Sequence, residues 1–71
     1  MRNIINPEML LLARESRGLS QSDLSTLLNI SQAKLSKAEK GEQTLNDELI
    51  PSLATVLRYP ESFFYQSAPT S

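Results

Sequence analysis

The chain has 71 residues, a formal net charge of −1 and no apolar run near the roughly 18 residues of a membrane span. It contains neither Cys nor His, which excludes disulfides and thiolate metal sites and removes the commonest general base. We therefore expect one small cytoplasmic domain that is not an enzyme, needs no cofactor and has no membrane partner.

The first predicted helix begins at Pro7 and ends near Arg17. Asn6 is a good N-cap, and Pro is favoured at the first helical position. Gly18 is the residue expected in a left-handed cap at the C-terminal end. These signals predict a first helix bounded by Asn6 and Gly18.

A second helix is predicted from Gln21 to Leu28. Ser20, followed three residues later by Asp23, resembles a capping box. Leucines recur along this segment at the three- and four-residue spacing of a helix that buries one face. The predicted buried stripe consists of Leu24, Leu27 and Leu28.

A third helix, from Gln32 to Lys40, follows after a short turn. Asn29 is expected to turn the chain in a left-handed conformation, and Ser31 is expected to cap the new helix. Its inward residues are predicted to be Leu35 and Ala38. Gly41 ends it.

The remaining segments predict two further helices. Asn46 caps the fourth, in which Pro51 predicts an irregular first turn or a later start. Pro60 opens a short fifth helical segment, Glu61 to Tyr65. No strand pattern occurs, so we expect an all-α domain of five helices over residues 1–66, followed by a disordered tail at residues 67–71.

Two short helices joined by a tight turn favour binding of double-stranded DNA. The major groove of B-DNA is about 12 Å wide and admits one α-helix. In such a pair the first helix crosses the DNA backbone and the second enters the groove with its N-terminal residues at the base edges. The third helix, residues 32–40, is therefore predicted to recognise a specific sequence.

Position along this helix assigns the candidate contacts. Gln32 can pair with adenine, Ala33 offers a methyl group to thymine, and Lys37 can reach guanine or a phosphate. The candidate phosphate contacts are polar or basic residues around this face: Gln21, Ser31, Lys34, Ser36, Lys40 and Gln43. Two alternatives stay open, because lysines at helical spacing often form a solvated face and Gln21 could merely extend the Ser20 cap.

The residues Arg-Gly-Leu-Ser-Gln at 17–21 and Glu-Lys-Gly at 39–41, within the runs 14–24 and 29–41, resemble the phage repressor/Cro-like (XRE) helix-turn-helix family. The resemblance covers about residues 7–65. It implies a lambda-repressor-like five-helix domain from a bacterial or phage transcriptional regulator, typically a repressor. It also implies binding to operator DNA as a homodimer on two half-sites.

The resemblance also assigns roles to individual residues. Gln21 and Gln32 match the two glutamines with which this family contacts DNA. Ala33, Lys34 and Lys37 match variable positions that set sequence preference. Arg14 and Glu39 match a structural pair that bridges the first and third helices. The departures are Ala33, which shortens the reach to bases, Pro51, and Asn29 where the family usually has Gly.

The segment from Glu48 to Tyr65 further resembles the N-terminal domain of regulators that carry an ImmA/IrrE-type zinc peptidase after the helix-turn-helix. On this resemblance we expect the 71 residues to be an excised domain that lacks a C-terminal peptidase-like domain. The alternative function is that of an antitoxin or protein-interaction module. Its partner surface would be the exposed leucines of the first helix and residues 59–65.

Overall fold

A computed structural model describes residues 5–66, and the predicted tail at residues 67–71 lies outside this range. The described residues form four α-helices and two 3₁₀ turns and contain no strand, which confirms the all-α prediction. The helices are α1 (Pro7–Ser16), α2 (Gln21–Leu28), α3 (Gln32–Glu39) and α4 (Ile50–Leu57). The 3₁₀ turns are Asp47–Leu49 and Glu61–Tyr65.

The first three helices begin at side-chain caps that the sequence predicts. The Asn6 side chain accepts a hydrogen bond from the Glu8 amide at 3.0 Å. Ser20 and Asp23 form the reciprocal capping box, with bonds of 3.0 and 3.1 Å. Ser31 accepts from the Lys34 amide at 3.1 Å and fixes the start of α3. Each cap satisfies a backbone donor that a helix N-terminus otherwise leaves unpaired.

Each of the four helices is followed, within two residues of its end, by a residue with positive φ. After each of these residues the chain donates an amide back to a carbonyl five residues earlier, as in a Schellman motif; one such bond joins Ile30 N to Ser25 O. The left-handed residues are Gly18, Asn29, Gly41 and Arg58. Asn29, at φ 59° and ψ 43°, confirms the predicted left-handed turn between α2 and α3.

The fourth predicted helix is divided, and the fifth is a 3₁₀ turn, so the count of five helices is slightly off. Residues Asp47–Leu49 form a 3₁₀ turn, and α4 proper begins at Ile50 with Pro51 in its first turn. A proline costs no backbone hydrogen bond there, because the first amides of a helix have no partner within it. The predicted later start is therefore correct.

One hydrophobic core joins all the helices. Its largest fully buried side chains are Leu10, Leu24, Leu35, Leu53, Leu57 and Phe64. The prediction that Leu27 is buried is wrong, because its side chain is 57% exposed. The buried residues of α2 are instead Leu24, Ser25 and Leu28. The Ser25 hydroxyl is satisfied by the Ser22 carbonyl at 3.0 Å, so this small residue can be buried.

Contacts between the two ends of the domain close the fold. The backbone amide of Asn6 donates to Phe64 O at 2.7 Å, and its side chain donates to Gln66 O at 2.8 Å. The Arg17 guanidinium donates to Leu57 O at 2.7 Å and lies 4.4 Å from the Tyr59 ring centre. These contacts fasten the C-terminal segment to α1. None of the helices between residues 5 and 66 is both long enough and apolar enough to span a membrane.

Candidate nucleic-acid interface

Helices α2 and α3 form a rigid corner that presents one side of α3 to solvent. The turn between them uses the left-handed Asn29, and Ile30 packs against the core. On α3, Leu35 and Ala38 are 0% and 4% exposed and confirm the predicted inward face. With these two residues anchored, the opposite side of α3 faces solvent.

The three candidate base-contacting residues are all exposed and lie in the N-terminal and middle turns of α3. Ala33 and Lys37 are four residues apart, so they share one face of the helix. Gln32, the first residue of α3, borders the same face. The structure therefore brings Gln32, Ala33 and Lys37 together on a surface that a DNA groove can reach.

The exposed side of α3 is locally basic although the whole chain is slightly acidic. It carries exposed Lys37 and partly buried Lys34, and exposed Lys40 lies just beyond the last residue of α3. The one acidic residue of α3, Glu39, is paired with Arg14 through Nε–Oε2 at 2.6 Å. This is the sole ion pair within residues 5–66, so none of the three lysines has an acidic partner in that range. A polyanion that approached α3 would meet uncompensated positive charge.

The candidate phosphate contacts divide by exposure. Ser31, Lys40 and Gln43 are exposed, whereas Gln21, Lys34 and Ser36 are partly buried. Lys40 is the C-cap of α3 and lies just beyond its last residue, Glu39. The Ser31 hydroxyl accepts the cap bond from Lys34 N and keeps its own proton to donate.

The N-terminus of α2 carries a charge of its own. Hydrogen bonds with Ser20 lower the pKa of Asp23 below the ordinary value of 3.8. The backbone amide of Ser20 has the larger effect and its side chain the smaller one. The carboxylate is fully exposed and stays ionised at neutral pH. It stabilises the start of α2 and places one negative charge within two residues of Gln21.

A hydrogen-bond network that links α1, α2 and α3 was not predicted in full. Arg14 and Glu39 form the pair that the resemblance implied, with a second bond from Nη2 to Oε1 at 3.1 Å. Gln21 joins it, since its Nε2 donates to Glu39 Oε1 at 2.9 Å. Gln21 and Glu39 are 18 residues apart and lie on different helices, so no local sequence signal announces this bond.

Comparisons with known proteins agree on the kind of domain. Residues 10–64 match the helix-turn-helix family HTH_3. An uncharacterized HTH-type transcriptional regulator of Sinorhizobium medicae (strain WSM419) is 33% identical over 58 residues, which cover 82% of this chain and 42% of that protein. The chain thus spans less than half the length of the curated relatives that it matches.

Solved structures share the fold. The restriction-modification controller protein C.AhdI from Aeromonas hydrophila superposes with a TM-score of 0.77 at 25% identity, over 83% of this chain and 89% of that chain. SinR, a master regulator for biofilm formation solved in complex with DNA, gives a TM-score of 0.75 at 20% identity, over 82% and 97% of the two chains.

The family match covers the helix-turn-helix alone, so the ImmA/IrrE-type resemblance stays a prediction. The matched residues run from the middle of α1 to Phe64 and include the corner, the basic face and the Arg14–Glu39 pair. The chain therefore belongs to the helix-turn-helix family HTH_3.

Proposed function

We propose that this domain binds double-stranded DNA in a sequence-specific manner, with α3 in the major groove, as part of a cytoplasmic transcriptional repressor that acts by binding and not by catalysis. The observation that carries the proposal is the exposed face of α3. It is fixed by the Ser31 cap and by buried Leu35 and Ala38, and it bears lysines without acidic partners. A rigid, basic helix face of this kind suits the groove.

Within this proposal the residues of α3 divide the work. The Gln32 amide pairs with an adenine edge and Lys37 with a guanine edge, while Ala33 contacts a thymine methyl. The polar residues at the margins position the domain on the phosphates. These are Gln21, Ser31, Lys34, Ser36, Lys40 and Gln43.

We further propose that two copies bind as a homodimer on two half-sites. One domain presents one recognition helix, and half-sites on the same face of B-DNA lie about 34–36 Å apart. The domain measures 28 × 26 × 22 Å along its principal axes. Two domains of this size side by side have dimensions suited to two half-sites. Sedimentation with and without DNA would show whether the second copy binds.

The direct test is a fluorescence-anisotropy titration with DNA at several salt concentrations, after selection of preferred duplexes from a random pool. Each lysine that neutralises a phosphate should contribute about −0.9 to the slope of log affinity against log salt. Lys40→Ala should weaken all sequences alike and reduce the magnitude of the slope by about one, whereas Lys40→Arg should not. Affinity that does not depend on salt, or no binding at all, would refute the proposal.

Gln32→Ala tests the register of α3 in the groove. Removal of its amide should cost about 1–3 kcal/mol on the preferred duplex and relax selection at one base pair. Gln43→Ala, a change of the same type in the loop after α3, should leave base preference unchanged. If Gln32→Ala alters no base preference, the assigned register is wrong.

A second function, that of a protein-interaction module such as an antitoxin, is favoured by exposed apolar side chains. Leu12 is 42% exposed and Leu27 is 57% exposed. Leu27 borders a shallow groove with α4, whose other lining residues are Pro51, Ser52, Thr55 and Val56. A protein partner that covered this groove would bury the Leu27 side chain. This function would be established instead if the domain bound a protein partner but not DNA, and if Leu27→Asp abolished the binding of that partner.

A further inference from the structure

We propose that Glu39 is a positioning residue, whose carboxylate holds the Gln21 side-chain amide in the orientation that contacts a DNA phosphate. The inference rests on the proposed DNA binding and adds a role for a residue that does not itself face the DNA. Its basis is the network of Arg14, Glu39 and Gln21 that links the first three helices.

The carboxylate of Glu39 is held in one place. Its side chain is only 4% exposed. Arg14 donates to both of its oxygens, from Nε at 2.6 Å and from Nη2 at 3.1 Å. Arg14 is itself fixed by a third bond, from Nη1 to the Leu19 carbonyl at 2.8 Å. A fork of this kind restricts a carboxylate in position and in rotation.

This fixed acceptor determines which way the Gln21 amide faces. An ionised carboxylate accepts hydrogen bonds and cannot donate one, so the amide of Gln21 must turn its NH₂ group towards Glu39. Nε2 carries two protons, and the bond of 2.9 Å to Glu39 Oε1 uses one. The second proton stays available to a phosphate oxygen, since Gln21 is only partly buried.

The arrangement reduces the loss of freedom when DNA binds. A glutamine on a surface has three rotatable bonds and an amide that can face either way, and it must order all of them to make one contact. In this domain the ordering is already present. Arg14 of α1 bonds both Glu39 of α3 and the Leu19 carbonyl just before α2, so the start of α2 keeps its place relative to α3, which carries the proposed base contacts.

A double-mutant cycle in the 71-residue chain separates positioning from a merely structural role. Affinity is measured for a mixed-sequence duplex of about 20 base pairs, long enough for two half-sites. The four proteins are wild type, Glu39→Gln, Gln21→Ala and the double variant. The change of charge at residue 39 is common to both backgrounds, so it cancels in the comparison.

If Glu39 acts through Gln21, the effect of Glu39→Gln on the dissociation constant should differ between the two backgrounds by about threefold to tenfold, the value of one hydrogen bond. The matched control is the cycle of Glu39→Gln with Gln43→Ala, which should be additive, because Gln43 makes no hydrogen bond to Glu39. Equal effects of Glu39→Gln in the wild-type and Gln21→Ala backgrounds would overturn the inference.

A measurement on the wild-type protein avoids variants that fail to fold. The side-chain amide protons of Gln21 should exchange with water more slowly than those of exposed Gln43, in the free domain and in the complex. Exchange of Gln21 as fast as that of Gln43 would refute the bond and the inference with it. Loss of all binding to the duplex by the wild type would instead refute the proposed function, so the two failures are distinguishable.

Discussion

Individual residues show where this fold bears backbone strain. The four left-handed positions that end the helices are occupied by two glycines, one asparagine and one arginine. Glycine adopts this conformation freely and asparagine tolerates it, but a long side chain costs roughly 1–2 kcal/mol there. Arg58, at φ 60°, is the unfavourable choice of the four.

Arg58→Gly should therefore stabilise the domain. The side chain is exposed, so little packing is lost, and we expect a net gain of about 0.5–1 kcal/mol after the extra entropy of glycine in the unfolded chain. Urea denaturation followed by circular dichroism would measure it. Gly18→Ala is the matched control: its new Cβ meets nothing within 4 Å, so a loss of stability reports backbone strain alone. An unchanged midpoint for Arg58→Gly would contradict the strain argument.

The capping carboxylate of Asp23 should make stability depend on pH. Because the folded state lowers the pKa of Asp23, its contribution is present above the unfolded value of 3.8 and is lost as pH falls through the lower folded value. The difference in the free energy of unfolding between wild type and Asp23→Asn should thus be largest near neutral pH and shrink in acid. Urea denaturation across this range would detect it. A difference that does not vary with pH would show that the cap works without the charge.

At the scale of the element, the start of α3 is the feature on which the proposed DNA binding depends. Ser31 both caps α3 and sits beside Gln32, the first candidate base contact. The end of α3 is equally defined, since Gly41 has φ +78° and a Cβ at this position would lie 3.4 Å from Pro7 Cγ. Both ends of this two-turn helix are thus set by the residues that flank it, Ser31 and Gly41, whereas eight residues alone are too few for a stable isolated helix.

Ser31→Ala should destabilise the domain by about 1 kcal/mol through loss of the cap and should weaken DNA binding. Thermal denaturation and anisotropy would report the two effects. The control is Ser62→Ala, since Ser62 is exposed and its hydroxyl makes no hydrogen bond within residues 5–66. If Ser31→Ala lowered the stability by the full value of the cap but left the DNA affinity unchanged, the N-terminus of α3 would lie away from the DNA.

At the scale of the whole molecule, the C-terminal 3₁₀ turn completes the core. Phe64 is fully buried, and its carbonyl accepts the Asn6 amide at the start of α1. Phe63 stacks on Tyr59 with ring centres 4.2 Å apart and is only partly buried. Of these two adjacent phenylalanines, Phe64 therefore lies inside the core and Phe63 lies at its edge.

Phe64→Ala should cost about 3–5 kcal/mol, whereas Phe63→Ala should cost clearly less. A chain of 71 residues is expected to have roughly 4–10 kcal/mol of stability in all, so the first change should leave the domain near its unfolding limit. Thermal denaturation of both variants provides the comparison. Equal losses would show that the 3₁₀ turn does not close the core through Phe64.

Local signals predicted most of the backbone. The caps at Asn6, Ser20 and Ser31 involve residues at most three positions apart, and the left-handed turn at Asn29 is closed by a bond that reaches five residues back, so a local pattern contains them. The error at Leu27 has a different origin. Helical spacing identifies an apolar stripe, but the helices that pack against it determine which part of the stripe is buried. In this domain α2 buries Ser25, whereas Leu27 is exposed.

The sequence by itself determined the first three helices, with limits correct to within one residue, the corner between α2 and α3 and the exposed face of α3, because these depend on short-range caps, turns and periodicity. The tertiary structure decided the rest. The bond from Gln21 to Glu39 and the contacts of Phe64 and Arg17 join residues in different parts of the chain. The exposure of Leu27 likewise depends on which helices pack beside α2. Such contacts depend on how the helices pack together, and packing is a property of the folded chain.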